Sequence, residues 1–272
     1  MKKRLFAGLL CVCMLLLCAC TKTDLEIDNT LPPTSEEPSI ETYDENALIP
    51  PETTEATETE PPHSELYIEG HSPEQILEYF EEVVMHVEYS DGPGDYSLVQ
   101  KWITPIYYRI YGYPTDEDLE VLTALFAQLN EVPGFPGIYP AVDGFPENLS
   151  LSFLNEDEFY YNFSDIVGGQ DSYGAVQFWY YIDTNDIYSA RIGYRTDIDQ
   201  ESRNSVLIEE IVNMLGFTDT EVREDSIVYQ YSNENLEMSD VDWVLMKLLY
   251  NPAIECGMDY EACAAVIQEL YY

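Results

Sequence analysis

Between Ser72 and Val87 the apolar positions Ile76, Leu77, Phe80, Val83, Val84 and Val87 recur at the spacing of one helical face. Ser72-Pro73-Glu74-Gln75 adds a capping box with proline at the first helical position, so a helix is predicted over 73–89, broken by Asp91-Gly92-Pro93-Gly94. In KWITPIYYRIYG the period changes to two: Trp102, Ile106, Tyr108 and Ile110 alternate with Lys101, Ile103, Tyr107 and Arg109, a strand with Pro105 at an edge or bulge. Thr115 then caps a second helix with the stripe Leu119, Leu122, Leu125, Phe126 and Leu129, and a loop rich in proline and glycine runs from Val132 to Pro146. Strands are predicted at Asn148–Leu154, Ala175–Ile182 and Ile187–Thr196, the last two joined as a hairpin by Asp183-Thr184-Asn185-Asp186. Both faces of AVQFWYYI are bulky, with Val176, Phe178, Tyr180 and Ile182 on one and Trp179 and Tyr181 on the other. A central strand covered on both sides accounts for this; so does an exposed aromatic platform for sugar rings or peptides. A third helix opens at Asp199 or Gln200, carries Val206, Leu207, Ile211, Met214 and Leu215, and ends at Gly216. The predicted fold is α/β (α+β): helices packed on a twisted, mostly antiparallel or mixed sheet, with a helical C-terminal part.

The first residues do not belong to that fold. MKKRLFAGLLCVCMLLLCAC has a basic head, a short apolar run and small Ala19 before Cys20, the layout of a signal peptide over residues 1–19 that resembles the lipobox of bacterial lipoproteins. That resemblance implies lipidation of Cys20 and a location on the extracytoplasmic face of the bacterial cell membrane. Residues 20–65, rich in Thr, Pro, Glu and Ser, lack the apolar residues a core needs and read as a disordered tether. Residues 66–272 are left for one domain.

Charge narrows the partners. Eleven basic residues stand against 52 acidic ones, a net charge of −41, and Lys2, Lys3 and Arg4 of the eleven lie in the leader. Nucleic acid and anionic lipid headgroups are poor partners, because both are bound through Lys and Arg, and cations or cationic surfaces are better ones. An envelope protein, peptide or glycan remains. Cys256 and Cys263 follow the lipid cysteine as C-x6-C: within one helix their Cα atoms would be about 10.5 Å apart, too far to bridge, whereas a helix starting after Gly257 would shorten the distance. The pair is a disulfide candidate, with two buried thiols as the alternative.

IEEIVNMLGFTD, Ile208 to Asp219, has the spacing of a zinc helix without its histidines. Laid on H-E-x-x-H-x-x-G-x-x-H, the metzincin pattern, it places Glu209, Asn213 and Asp219 at the ligand positions, Glu210 at the general base and Gly216 at the turn. With SIVY (Ser226–Tyr229), the Asp242 helix, LLYNP (Leu248–Pro252) and Gly257-Met258, the segment resembles the bacterial domain of unknown function 2927 family, a resemblance covering most of residues 70–272. It implies a zincin-like α/β fold. It places Val228 where metzincins carry a methionine.

The histidines His63, His71 and His86 all lie far from this motif, so a zinc site is not expected. Oxygens of Glu209, Asp219 and Asn213 suit a hard cation such as calcium. Three functions follow: a catalytically silent zincin-like domain used for binding, a peptidase-like hydrolase with Glu210 as base, or a glycan- or solute-binding lipoprotein using its aromatic strands. Phosphate-loop, G-x-S-x-G and Cys-His signatures are absent from the sequence.

Overall fold

The computed structural model describes residues 66–85, 98–167 and 172–271. The leader, Cys20, the tether with His63, His86 and the Asp91–Gly94 turn lie outside them. Helix α1 (Pro73–Phe80) begins as the sequence predicts: Ser72 Oγ accepts from the Gln75 amide and Gln75 Oε1 from the Ser72 amide, at 3.3 and 2.9 Å. It then widens into a π-helical turn, Glu81–Met85, in place of a regular helix. This turn holds the strand-like segment that carries Asp219, as described below.

KWITPIYYRIYG divides at Pro105 into β1 (Lys101–Trp102) and β2 (Ile106–Gly112). Helix α2 (Asp116–Leu129) leads to β3 (Ile138–Pro140) and β4 (Leu149–Leu154). Helix α3 (Glu156–Phe163), which the apolar pattern does not announce, precedes the hairpin of β5 (Gly174–Tyr180) and β6 (Asp186–Arg195). Three helices close the chain: α4 (Gln200–Met214), α5 (Asp240–Leu249) and α6 (Tyr260–Tyr271).

The sheet corrects the predicted topology. Its order is β1-β6-β4-β2-β3 with β5 on β6, and β1 with β6, β2 with β3, β2 with β4, and β4 with β6 all pair parallel. Only the β5–β6 hairpin is antiparallel. The fold is therefore α/β with a mostly parallel sheet, not a mostly antiparallel one. Two connections explain it. α2 lies between β2 and β3, and α3 lies between β4 and the hairpin, each long enough for the crossover that parallel neighbours require. The hairpin was the one pairing written locally in the sequence, and it does not represent the rest.

β5 pairs with β6 alone, so AVQFWYYI is no central strand. Its inward residues Val176 and Phe178 join the main core, while Trp179 and Tyr181 are exposed. The core itself lies on one face of the sheet, where Ile106, Leu149, Leu151, Ile192 and Tyr194 meet the apolar sides of α1, α2, α4 and α5. A smaller cluster on the opposite face packs Phe159 and Phe163 of α3 against Ala175. Gly193 permits that contact, since a Cβ there would collide with the Phe163 ring.

Two buried carboxylates tie the layers together. Asp118 of α2 accepts from Arg203 Nε at 2.8 Å and from Gln200 Nε2 at 2.7 Å, linking α2 to α4. Asp242 of α5 accepts from Arg223 at 3.0 Å, Ser226 Oγ at 2.7 Å and the Ile227 amide at 3.0 Å, fixing the turn before Val228. Cys256 and Cys263, the disulfide candidates, are separate thiols: Cys256 is half-buried with its Sγ 3.6 Å from the Lys101 carbonyl, and Cys263 is buried. Among the described residues no helix is long and apolar enough to cross a membrane.

Candidate functional site

Helix α4 presents successive side chains about 100° apart, so Glu209 and Asn213, four residues apart, share a face. Gly216 ends the helix with φ of +117°, a conformation open to glycine, and a Cβ there would collide with the Gln100 carbonyl. The chain turns back and delivers Asp219 to the same face, where Asn213 Nδ2 donates to Asp219 Oδ1 at 2.9 Å.

Asp219 is held from both sides. The Thr218 amide donates to the Val83 carbonyl of the π turn at 2.7 Å, and the Thr220 hydroxyl bonds the Glu82 carboxylate. The Thr220 amide donates to the Val228 carbonyl at 2.8 Å, and Gln230 donates back to Thr220 at 3.1 Å. The Glu82 and Val83 carbonyls lie at the end of the described helical segment, where carbonyls are open to outside donors, and Thr218 supplies them. Val228 is fully buried behind this bridge.

Glu209, Glu210, Asn213 and Asp219 line one cleft of about 340 Å³, closed on the other side by Tyr173 and Gly174 at the start of β5 and by Gln230 and Asn233. The adjacent glutamates, although directed apart along α4, both reach it. Glu210 is the deeper, with 8% of its surface exposed, and Gly174 makes its room: a Cβ at that glycine would overlap the Glu210 carboxylate and Val206. Loss of solvent, and secondarily the Asp219 charge, push the Glu209 carboxyl up to about 8. Tyr194, beneath α4, is raised by burial and then by Glu210 and Asp118. Asn213 Oδ1 is buried without a hydrogen-bond partner, a second sign that the cleft is polar and imperfectly satisfied.

The sequence motif thus names four residues that meet in space. Tyr173, Gly174, Gln230 and Asn233 come from other segments and carry no spacing signal. His71 stands edge-on to Tyr79 with ring centroids 5.9 Å apart and does not line the cleft. The donors do not suit zinc: they are carboxylates and a carboxamide, one carboxyl retains its proton near neutrality, and the amide already donates to Asp219. Among the described residues no cluster of three His, Cys, Asp or Glu has metal-holding geometry.

The family model described as protein of unknown function (DUF2927) matches residues 73–269, from the first residue of α1 almost to the end of α6. The chain belongs to the DUF2927 family. No curated protein matches it. In this DUF2927 domain the cleft sits at the α4 C-terminal half, the segment on which the sequence resemblance was built.

Proposed function

We propose that the protein is a lipid-anchored extracytoplasmic domain whose zincin-like cleft binds a partner and does not cleave it, taking up a positively charged group between Glu209 and Asp219. One observation carries this reading: the Asn213–Asp219 hydrogen bond, which engages two of the three ligand-like positions with each other and leaves a polar, incompletely satisfied cleft beside Glu209. Glu209 holds a proton there, so an entering ammonium or guanidinium would replace it, a charge exchange favoured in a half-buried site. The net charge of −41 favours cations over anions as partners of the chain. A peptide with a lysine or arginine side chain is the simplest such partner.

The test is calorimetry of the mature chain with a short Lys/Arg peptide, in wild type and in Asp219→Asn. Saturable binding that weakens about tenfold or more in the variant supports the proposal, since one charge-assisted bond carries that much. A second reading, hydrolysis through Glu210, draws support from that residue's place in the cleft. Peptide cleavage abolished by Glu210→Gln would establish it and overturn the first. Calcium belongs in the same titration, because a hard cation would displace the Glu209 proton in the same way. The anchor is tested apart: Cys20→Ala is expected to release the chain from the membrane fraction or leave its precursor uncut, and unchanged size and membrane association would refute lipidation.

A further inference from the structure

On the face of the sheet opposite the main core, parallel register sets side chains in ranks. One rank runs from Tyr139 to Tyr107, which are register partners, and ends across the sheet at Trp179 opposite Ser189. The next rank is Arg109, Ser150, Arg191 and Gln177. Their inward neighbours Ile106, Leu149, Leu151 and Ile192 are buried, whereas Tyr107, Tyr139 and Trp179 keep 43%, 46% and 39% of their surface open. Helix α3 covers the far end of this face at Gly193 and meets the second rank at Arg191, whose Nη1 donates to the Asn162 carbonyl at 3.2 Å, leaving the aromatic rank exposed.

We propose that this face is a binding platform for a neutral glycan strand, separate from the Glu209 cleft. Ser189 lies beside Trp179 in the first rank, and Ser150 lies between Arg109 and Arg191 in the second. Tyr107 and Tyr139 lie with centroids 6.4 Å apart at one side. Three strand spacings separate Tyr107 from Trp179, about 14 Å. That length suits several linked sugars better than one. The negative face of an aromatic ring attracts the C–H edge of a pyranose, and planar polar groups beside it receive the hydroxyls.

The polar groups here are held in place before any ligand arrives. Arg109 Nε bonds Glu147 at 3.2 Å, and the same carboxylate takes the Tyr111 hydroxyl. Arg191 Nε bonds Gln177 Oε1 at 2.8 Å, and its guanidinium stacks 4.9 Å from the Phe163 centroid. Such fixing lowers the entropy lost on binding.

Charge selects the class of ligand. Arg109 pairs with Glu147 and Arg191 with Asp165, so both arginines on the platform are balanced although the chain as a whole carries −41. Stacking nucleobases is the competing use of an aromatic sheet face, but the net charge repels phosphates and the arginines that would receive them are already paired. A hydrophobic protein partner would find no aliphatic side chain in either rank. Neutral, hydroxyl-rich chains fit both conditions.

The experiment titrates the mature chain with oligosaccharides of β-1,4-linked N-acetylglucosamine and of β-1,4-linked glucose, followed by calorimetry and tryptophan fluorescence. Saturable binding of at least one is expected, weakened about tenfold by Trp179→Ala and by Tyr107→Ala, the effect of losing one stacked ring. Both side chains are exposed, so the variants' melting temperatures are expected to match wild type. Ser150→Trp, which sets a bulky ring between Arg109 and Arg191, is expected to block binding with Trp179 and Tyr107 intact. Glu209→Gln, in the cleft, is expected to leave it unchanged. Failure of both oligosaccharides to bind, binding that survives the two aromatic variants, binding lost in Glu209→Gln, or capture of single-stranded DNA instead would each overturn the proposal.

Discussion

The Thr218 amide donates to the Val83 carbonyl at 2.7 Å, and that bond sets Asp219 at the mouth of the cleft facing Asn213. The π turn after α1 and the end of α4, far apart in the chain, thus share responsibility for one carboxylate. Because Glu209, Asn213 and Asp219 all line the same cleft with Glu210, placing imidazoles there is a direct test of whether the three positions have a zincin's geometry.

The triple variant Glu209→His, Asn213→His, Asp219→His is expected to acquire zinc binding, three imidazoles leaving an open fourth position. A ligand that binds only the folded state stabilises it by about 2.7 kcal/mol at a hundredfold excess over Kd. The readout is a zinc-dependent rise in melting temperature, present in the triple variant and absent in wild type. No rise in the variant would mean that the three positions do not converge as a zincin's do.

A second prediction concerns the link between α2 and α4. Burial alone would raise the Asp118 carboxyl, but hydrogen bonds from Arg203, the Thr115 amide and Gln200 outweigh it and hold it below the ordinary carboxylate range. Asp118→Asn leaves the Arg203 guanidinium buried beside a neutral amide and is expected to cost about 3–5 kcal/mol at pH 7. A depressed folded pKa means the unfolded state takes up protons first as pH falls. Its contribution is therefore full above the ordinary Asp pKa and is lost as pH drops through the folded value. Denaturant melts at pH 7 and pH 3 check this: the gap between wild type and variant is expected to shrink in acid, and a gap independent of pH would refute it.

How much of this was legible in the sequence differs between elements. The helix starts at Ser72 and Thr115 and the hairpin turn at Asp183–Asp186 were readable because each is a local agreement between a side chain and its own backbone. Helix α3 was missed although Asn155 and Glu158 form a capping box, because eight residues rich in charge and tyrosine show little apolar period. The parallel order of β2, β4 and β6 depends on which face α2 and α3 return across, and no spacing along one strand records that. The cleft was legible as far as one helix and its turn could carry it, through Glu209, Glu210, Asn213 and Asp219. Its other wall, Gly174 and Tyr173, is brought there by β5, and the π turn behind Asp219 shows in the sequence as ordinary helix.

A third prediction concerns the two thiols. Burial pushes both upward, Cys263 to about 11 with a further rise from Asp259, and Cys256 against a smaller opposing pull from the Lys101 backbone. The neighbouring Lys101 ammonium pulls both downward, but less than burial raises them; it donates to the Leu249 and Ile254 carbonyls, and burial lowers its own pKa. Only a thiolate attacks an alkylating agent. Iodoacetamide at pH 8 is therefore expected to label half-buried Cys256 slowly and Cys263 only after unfolding, as read by peptide mass spectrometry. A Cys256–Cys263 disulfide recovered from the native protein would contradict the separate thiols.

The last prediction concerns the proton on Glu209. Its folded pKa of about 8 lies above the ordinary glutamate value, so between those two pH values the folded state holds a proton that the unfolded state has released. Stability then falls as pH rises across that window, because the unfolded state binds fewer protons there. Glu209→Gln keeps the shape and removes the charge. The variant is expected to match wild type near pH 4, where both side chains are neutral, and to be the more stable at pH 8.5, where wild type must bury a carboxylate beside Asp219. Asp219→Asn in the same series separates the two causes. If the neighbouring charge contributes, this variant recovers part of the gain; if burial alone acts, it recovers none. Urea melts of the three proteins at both pH values decide it: a Glu209→Gln effect that is the same at pH 4 and pH 8.5 would show that Glu209 titrates as an ordinary surface carboxylate, and would remove the charge-exchange step from the proposed binding mode.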